Sequence, residues 1–239
     1  KPQDGACQFN DYGIDTDIRV ATIPIFKGEM ISLRLFHKSN KLSSLESLGF
    51  STMKTSSIRE TIANKNGLIL ITGTTGSGKS TTLYAILKEL KHRHVITMED
   101  PIEKIIPGIH QTHINSLQGF SMESGLKAIL RHNPDVIAVG EIRDKKSAEI
   151  VLNAAYTGHL VIASLHTNSI EATILRLDNL GLNPFLISYC LRAIISQSLI
   201  YNQNEIKLKS SILVCQQPYI IHDVKKELQE FMKHNILIE

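Results

Sequence analysis

The chain has 239 residues, of which 42% are hydrophobic and 21% are charged, so it can form a folded core and is neither disordered nor fibrous. Its 26 basic and 23 acidic side chains leave a net charge of +3, which is too small to indicate a nucleic-acid or membrane-surface protein. Cys7, Cys190 and Cys215 are too far apart in sequence for a disulfide framework or a four-cysteine zinc module. No apolar run approaches the roughly 20 residues of a membrane span, so we expect a cytoplasmic protein.

Short strands are predicted in the first 36 residues, where apolar and polar side chains alternate between turn signals. These strands have the sequences ACQFN, DIRVATIPI and EMISLRLF. Three strands make a thin sheet, and the chain does not begin with methionine. We therefore interpret residues 1–36 as the end of an amino-terminal domain that begins upstream. Residues 37–52 are rich in serine and lysine and are predicted to form a linker.

From residue 53 to residue 239, apolar runs of strand length alternate with segments of helical periodicity. The strand-like runs include LILIT, HVITMED, DVIAVGE and LVIASLH. This alternation predicts parallel strands joined by crossover helices, which is an α/β fold. Helices are also predicted over 169–180 and over 184–199, the second with a proline in its first turn. A strand in ILVCQQPYII and a helix in HDVKKELQEFMKHN complete the prediction.

The strongest motif is GTTGSGKS, which matches GxxxxGK[ST] and lies between a predicted strand and a predicted helix. Glycines let the backbone N–H groups of such a loop point at a phosphate, and the start of the helix favours negative charge. Lys79 is expected to contact the β- and γ-phosphates, and the Ser80 hydroxyl is expected to bind Mg²⁺. The predicted nucleotide-binding residues are Gly73, Thr74, Thr75, Gly76, Ser77, Gly78, Lys79, Ser80 and Thr81.

Two acidic strand ends follow the phosphate loop, where HVITM continues into EDPIE and VIAV continues into GEIRD. Phosphoryl transfer to water requires a carboxylate that positions the water and acidic groups around the metal ion. Parallel strands end at the edge that also holds the phosphate loop, so Glu99 and Glu141 are candidates for these roles. The alternative is that they only cap the segments that follow. Because Gly140 stands where such a strand usually ends in aspartate, we expect Glu141 to act on Mg²⁺ through water.

A third strand end, LVIASL, delivers His166 to the same predicted edge. A histidine there can sense the γ-phosphate, whereas the alternative is a histidine with a purely structural role.

Four motifs, taken together and in this order, resemble the ATPases that drive type II secretion and type IV pilus assembly. They are GTTGSGKSTTLYA, ITMEDPIE, LRHNPDVIAVGEIRD and TGHLVIASLHTN. The upstream stretch RVATIPIFKGEMISLRLF is also similar, so the resemblance covers most of residues 1–200. It implies a RecA-like P-loop NTPase domain with a mainly parallel sheet, preceded by part of a small α+β amino-terminal domain.

The resemblance also implies roles for single residues in the hydrolysis of ATP. Glu99 corresponds to the catalytic glutamate, Glu141 to the Walker B glutamate and His166 to the histidine of the histidine box. Arg19 and Arg34 correspond to arginines that reach the nucleotide from the amino-terminal domain. Members of this family form hexamers at the inner face of the cell membrane, where they act on a platform protein that adds or removes pilin subunits.

One departure from the family refines this expectation. Assembly ATPases of Gram-negative type usually carry a four-cysteine metal module after the histidine box, which this sequence lacks, so we expect no structural zinc. The chain is most similar to the competence pseudopilus assembly ATPases of Gram-positive bacteria, which serve DNA uptake. A pilus retraction ATPase is the alternative.

Three functions of other classes remain open from the residues alone. A RecA-like motor that moves nucleic acid would need basic loops with stacking aromatic residues, and the sequence shows no such cluster. A protein that binds ATP only to hold a ring together would not need Glu99. A small-molecule kinase would leave the histidine box without a role.

Overall fold

The computed structural model describes residues 1–11, 14–37, 43–115, 119–202, 205–215 and 224–239. The chain divides into two compact units, Lys1–Leu42 and Ser43–Glu239. The second unit begins inside the segment that the sequence predicted as a linker. Leu45 and Phe50 are buried there, and removing such apolar surface from water stabilises the folded segment. The part of the predicted linker from residue 43 onward is therefore folded.

The first unit contains the three strands that the sequence predicted. They are β1 (Gln3–Asp11), β2 (Ile14–Ile25) and β3 (Gly28–His37). Neighbouring strands are antiparallel and are ordered β1-β2-β3. In this register Arg19 on β2 lies directly opposite Arg34 on β3, which places the two side chains on the same face of the sheet.

The second unit is built on an eight-stranded sheet with the order β11-β10-β9-β4-β8-β7-β5-β6. Its strands are β4 (Gly67–Thr72), β5 (Val95–Glu99), β6 (His110–His113), β7 (Val136–Val139), β8 (Leu160–Leu165), β9 (Leu191–Asn202), β10 (Glu205–Val214) and β11 (Ile236–Ile238). Every neighbouring pair from β9 to β6 is parallel, whereas β10 and β11 add antiparallel pairs at the other edge. The predicted α/β class with a mainly parallel sheet is confirmed.

Helices connect these strands, and several of them begin at a residue whose polar side chain caps the helix. They are α1 (Thr52–Ile62), α2 (Lys79–Glu89), α3 (Met122–Ile129), α4 (Lys145–Tyr156), α5 (Ile170–Asn179), α6 (Pro184–Cys190) and α7 (Val224–His234), with short 3-10 helices at Glu46–Leu48 and Leu130–His132. Asp144 caps α4 by accepting a hydrogen bond from the Ser147 N–H at 2.9 Å, and Ser169 caps α5 in the same way through Ala172. Among the described residues, no helix combines the length and apolar character needed to span a membrane.

The central strands are buried along their whole length, which explains their continuous apolar sequences. All residues of β4, β5, β7 and β8 are buried. Their side chains form one core with α3, α4 and α5, and Leu70, Val139 and Ala163 contribute to it. This rigid sheet fixes where its carboxyl ends place polar side chains.

The predicted helix over 184–199 is wrong beyond Cys190. Helix α6 ends there, and Leu191–Asn202 forms β9, which pairs in parallel with β4. Ala193, Ile194 and Ile195 are buried in the sheet. A short apolar run of this kind has the same periodicity in a buried strand as in a buried helix, so the sequence did not separate the two.

Candidate nucleotide-binding site

Four strands deliver polar loops to one edge of the sheet. Strands β4, β5, β7 and β8 are parallel neighbours, and the loops after their carboxyl ends hold the predicted site residues. In open α/β sheets ligands bind outside these carboxyl ends. The phosphate loop follows β4 and leads directly into α2.

The phosphate loop is closely packed at its base. A Cβ atom added at Gly73 would lie 2.3 Å from the Gln197 carbonyl oxygen and 2.4 Å from Ser77 Oγ. Gly78, with φ 86°, has the left-handed conformation that glycine adopts most easily, and it precedes the first residue of α2. Gln197 Nε2 donates to the Ser77 carbonyl oxygen at 2.7 Å. These positions therefore require glycine, and β9 supports the loop from one side.

Lys79 is the central cation of the site, and its side chain is only 8% exposed. Its ammonium donates to the carbonyl oxygens of Gly73 at 2.8 Å and Thr74 at 2.9 Å. Burial lowers the pKa of Lys79, while the negative charges of Glu141 and Glu103 act in the opposite direction. The ammonium thus lies inside the loop, within the influence of two carboxylates.

The loop has the properties of a phosphate cradle. Ser77 Oγ is buried and has no hydrogen-bond partner within the described residues, which leaves a polar atom for a ligand to satisfy. Thr74, Thr75 and Gly76 are exposed at the tip of the loop, as is Thr81 in the first turn of α2. Ser80, also in that turn, is half-buried. These groups fit a polyphosphate at a helix start, and the Ser80 hydroxyl suits Mg²⁺, which takes few protein ligands.

Glu141 lies beyond the end of β7, where Arg143 and His166 contact its carboxylate. Its carboxylate accepts a hydrogen bond from Arg143 Nε at 2.9 Å and lies 3.2 Å from His166 Nε2. His166 Nδ1 in turn lies 3.4 Å from Lys79 Nζ. A neutral His166 that carries its proton on Nε2 satisfies both contacts. The predicted residues Lys79, Glu141 and His166 are therefore joined in one chain of contacts.

Glu99 occupies a different environment from the one predicted for it. It is the last residue of β5, is 4% exposed, and accepts hydrogen bonds from the Tyr84 hydroxyl, from Thr97 Oγ1 at 2.6 Å and from Gln111 Nε2 at 3.0 Å. A carboxylate enclosed by three donors does not suit the catalytic role predicted for Glu99, because water must reach a general base. The catalytic role of Glu99 therefore stays a prediction, and the surroundings of this carboxylate do not favour it.

The carboxylate that the sequence analysis left without a role is Glu103, at the end of the acidic motif EDPIE. It is exposed, lies in the loop between β5 and β6, and its charge acts on Lys79. Its backbone N–H donates to the Tyr84 hydroxyl at 3.1 Å. The sequence contained a signal for this difference, since Glu99 continues an apolar strand whereas Glu103 follows Pro101 outside it.

Arg19 and Arg34 belong to the first unit, as partners across β2 and β3. Their predicted role at the nucleotide stays a prediction.

Comparison with known proteins identifies relatives over the whole chain. The family of type II/IV secretion system proteins matches residues 1–229. The chain is 45% identical over 201 residues to the type IV pilus assembly ATPase PilB of Thermus thermophilus, which is 83% of this chain and 23% of PilB. It is 41% identical over 239 residues to the type II secretion system ATPase E of Vibrio cholerae, which is 99% of this chain and 46% of that protein. The chain thus spans less than half the length of these relatives.

Solved structures show the same fold. The ATPase DotB of Legionella pneumophila is similar with a TM-score of 0.80 at 25% identity, over 98% of this chain and 70% of DotB. The pilus retraction motor PilT with bound ADP has a TM-score of 0.75 at 30% identity, over 95% of this chain and 66% of PilT. With a family match that extends over nearly all of its residues, the chain belongs to the type II/IV secretion system protein family.

Proposed function

We propose that this chain is the catalytic part of an ATP-hydrolysing motor. The observation that carries the proposal is the chain of contacts at the sheet edge, in which His166 joins the phosphate-loop Lys79 to Glu141. A site that only bound nucleotide with Mg²⁺ would need the loop and one carboxylate for the metal ion, but no second, exposed carboxylate such as Glu103 to position water. Here Glu141 and Glu103 both influence the same ammonium, which is the arrangement that phosphoryl transfer to water requires.

Each side chain has a part in this chemistry. Lys79 exchanges its acceptors on Gly73 and Thr74 for phosphate oxygens, because its charge is better matched there. Glu103 is exposed and accepts the proton of the attacking water. His166 contacts both Lys79 and Glu141, so it senses the negative charge that the γ-phosphate adds beside Lys79. Ser80, and Glu141 through water, would hold Mg²⁺, which would supply positive charge beside the phosphates.

Two substitutions test this proposal in different ways. Lys79→Ala removes the ammonium and should abolish detectable ATP binding. Glu103→Gln keeps the shape of the side chain and should leave affinity within about twofold while kcat falls by about 10²-fold or more. Nucleotide titration and phosphate release measure the two quantities. Near-normal turnover in the Glu103→Gln protein would exclude Glu103 as the base.

The relatives support a role in assembly or secretion. The proteins named for pilus assembly and type II secretion are 41–45% identical to this chain, whereas the retraction motor PilT is 30% identical. We propose that the motor assembles a type IV-like competence pseudopilus for DNA uptake or secretion, acting on an inner-membrane platform protein from the cytoplasmic side and without direct contact with nucleic acid. Deletion should abolish the pseudopilus, whereas an excess of surface filaments would indicate retraction.

We further propose that the motor is a homo-hexamer in which Arg19 and Arg34 complete the nucleotide site. Their position opposite each other on β2 and β3 supports this role, because side chains paired across neighbouring strands lie on the same face of the sheet and can approach one anion together. Mixing Arg34→Ala subunits with Lys79→Ala subunits tests the arrangement. Recovered hydrolysis would show that the arginine acts on a neighbouring subunit, and unchanged hydrolysis in the Arg19→Ala and Arg34→Ala proteins would exclude the role.

A further inference from the structure

A buried polar cluster lies directly behind the site. Glu99 accepts hydrogen bonds from Tyr84, Thr97 and Gln111, and Thr97 and Glu99 are both less than 5% exposed. Burying a carboxylate is costly unless several donors satisfy it. This cost indicates that the cluster holds neighbouring parts of the protein in place. The proposed mechanism of hydrolysis gives Glu99, Tyr84 and Gln111 no role.

Gln111 connects this cluster to the loop that carries Glu103. Its amide nitrogen donates to Glu99 at 3.0 Å and to the Lys104 carbonyl oxygen at 2.9 Å. Its amide oxygen accepts the backbone N–H of Ile106 at 2.6 Å. Gln111 lies on β6, so the loop between β5 and β6 is hydrogen-bonded to a side chain that the sheet holds in place.

Tyr84 connects the same cluster to the helix of the phosphate loop. It lies on α2, one helical turn after Lys79 and Ser80. Its hydroxyl donates to Glu99 and accepts the backbone N–H of Glu103 at 3.1 Å. Burial and the charge of Glu99 raise the pKa of Tyr84, so its hydroxyl keeps the proton that it donates.

We propose that Glu99 is a positioning residue that acts through Tyr84 and Gln111 to hold the Glu103 loop against the phosphate-loop helix. The two side chains fix the backbone of that loop at Glu103, Lys104 and Ile106. A movement of α2 on binding phosphate is thereby transmitted to Glu103. This inference rests on the proposed function, in which Glu103 is the base, and it assigns Glu99 a role in aligning that base.

The first test needs no nucleotide. Hydrogen exchange of the backbone amides in the intact protein should show Glu103 and Ile106 protected, since each N–H donates to a side chain of the cluster. Tyr84→Phe should raise exchange at Glu103 by about tenfold or more and Gln111→Ala should do so at Ile106, while Tyr156→Phe, at an exposed tyrosine, should change neither. Unchanged exchange in both cluster variants would overturn the proposal.

The second test separates alignment from general stability. Tyr84→Phe should lower kcat by about 10-fold to 100-fold with KM for ATP within about twofold, because misplacing a catalytic group by an ångström costs rates of this order. In a Glu103→Gln background the same substitution should cause no further loss. An equal loss in both backgrounds would overturn the positioning role. If Glu103→Gln alone leaves turnover intact, the proposed base is wrong, while the exchange result still reports on the loop.

Discussion

Two neighbouring strands of the sheet, β5 and β7, end beside a glutamate, and the two glutamates have opposite environments. Glu99 is almost fully buried and its partners are neutral donors. The Glu141 side chain is 26% exposed, its carboxylate pairs with Arg143, and through His166 it belongs to the chain of contacts that reaches Lys79. Similar motifs on adjacent strands therefore gave one glutamate that is buried among neutral donors and one that contacts Arg143 and His166 at the open edge.

The register of the sheet explains the difference. Met98 on β5 lies opposite Val139 on β7, and the Gly140 N–H donates to the Met98 carbonyl oxygen at 2.8 Å. Glu99 is therefore level with Gly140, and Glu141 lies one residue further along the chain. Glu99 is still a paired residue of β5, whereas Glu141 lies two residues beyond the end of β7, where the chain has left the sheet and its side chain reaches the open edge.

The largest effect that this comparison predicts is on catalysis at Glu141. Glu141→Gln removes the charge that pairs with Arg143 and His166, and we expect kcat to fall by about 10²-fold. Because the side chain lies at the open edge, the free energy of unfolding should change by less than about 1 kcal/mol. Phosphate release and urea unfolding measure the two effects. A fully active Glu141→Gln protein would contradict the assignment.

The next effect is on stability at Glu99. Glu99→Ala leaves the hydroxyls of Tyr84 and Thr97 and the amide of Gln111 without their acceptor. An unsatisfied buried donor costs about 1–3 kcal/mol, so we expect the free energy of unfolding to fall by about 2–4 kcal/mol. Glu141→Ala is the matched control, with an expected loss below about 1 kcal/mol in the same urea experiment. Equal losses in the two proteins would remove the contrast between the strand ends.

The sequence predicted correctly those parts of the fold that are determined by residues close together in the chain. The phosphate loop and the buried strands LILIT, VIAV and LVIASL have distinctive residues, and the structure has them where they were expected. Strand β9 was missed because its apolar run suits a buried helix equally well. With it the sequence analysis missed Gln197, whose contact with the Ser77 carbonyl oxygen depends on β9 lying beside β4.

The surroundings of Glu99 and Glu103 were harder to predict because they depend on partners distant in sequence. Tyr84, Gln111 and Glu99 come from α2, β6 and β5, and no spacing in the chain announces that they meet. The prediction for Glu141 required only that its strand be parallel to the phosphate-loop strand. The position of a residue at the end of a parallel strand can therefore be predicted from the sequence, whereas the members of a buried polar cluster are identified only from the structure.

A smaller effect is expected on the Mg²⁺ dependence of hydrolysis, which should involve Ser80 and not Glu99. Ser80→Ala should raise the Mg²⁺ concentration for half-maximal hydrolysis by about tenfold, the factor that a lost ligand or its support typically costs. Ser56→Ala, at an exposed hydroxyl on α1, is the control and should leave this concentration unchanged. Glu99→Gln should also leave this Mg²⁺ concentration unchanged.

Elemental analysis of the purified protein should find no zinc, and a stoichiometric amount would contradict that prediction.

The smallest effect is expected at Arg143, which links the two strand ends. Its guanidinium donates to Glu141 at 2.9 Å and to Asp100, the residue after β5, at 3.2 Å. The Arg143 side chain is 61% exposed, and exposed ion pairs contribute less than about 1 kcal/mol and are screened by salt. Arg143→Ala should therefore lower kcat by only about threefold, since His166 still holds Glu141.

The dependence of activity on ionic strength measures the contribution of the Arg143 ion pairs more sensitively than kcat at one salt concentration. Raising the salt concentration from about 0.05 M to about 0.5 M shortens the screening length severalfold, so the unsubstituted protein should lose a similar few-fold of activity. The Arg143→Ala protein should lose much less, because the contact that salt weakens is already absent. Lys127→Ala, which removes an exposed ion pair with Glu123 on α3, should behave like the unsubstituted protein. A loss above about 10-fold in Arg143→Ala, with unfolding unchanged, would place the guanidinium among the groups that contact the reacting phosphates.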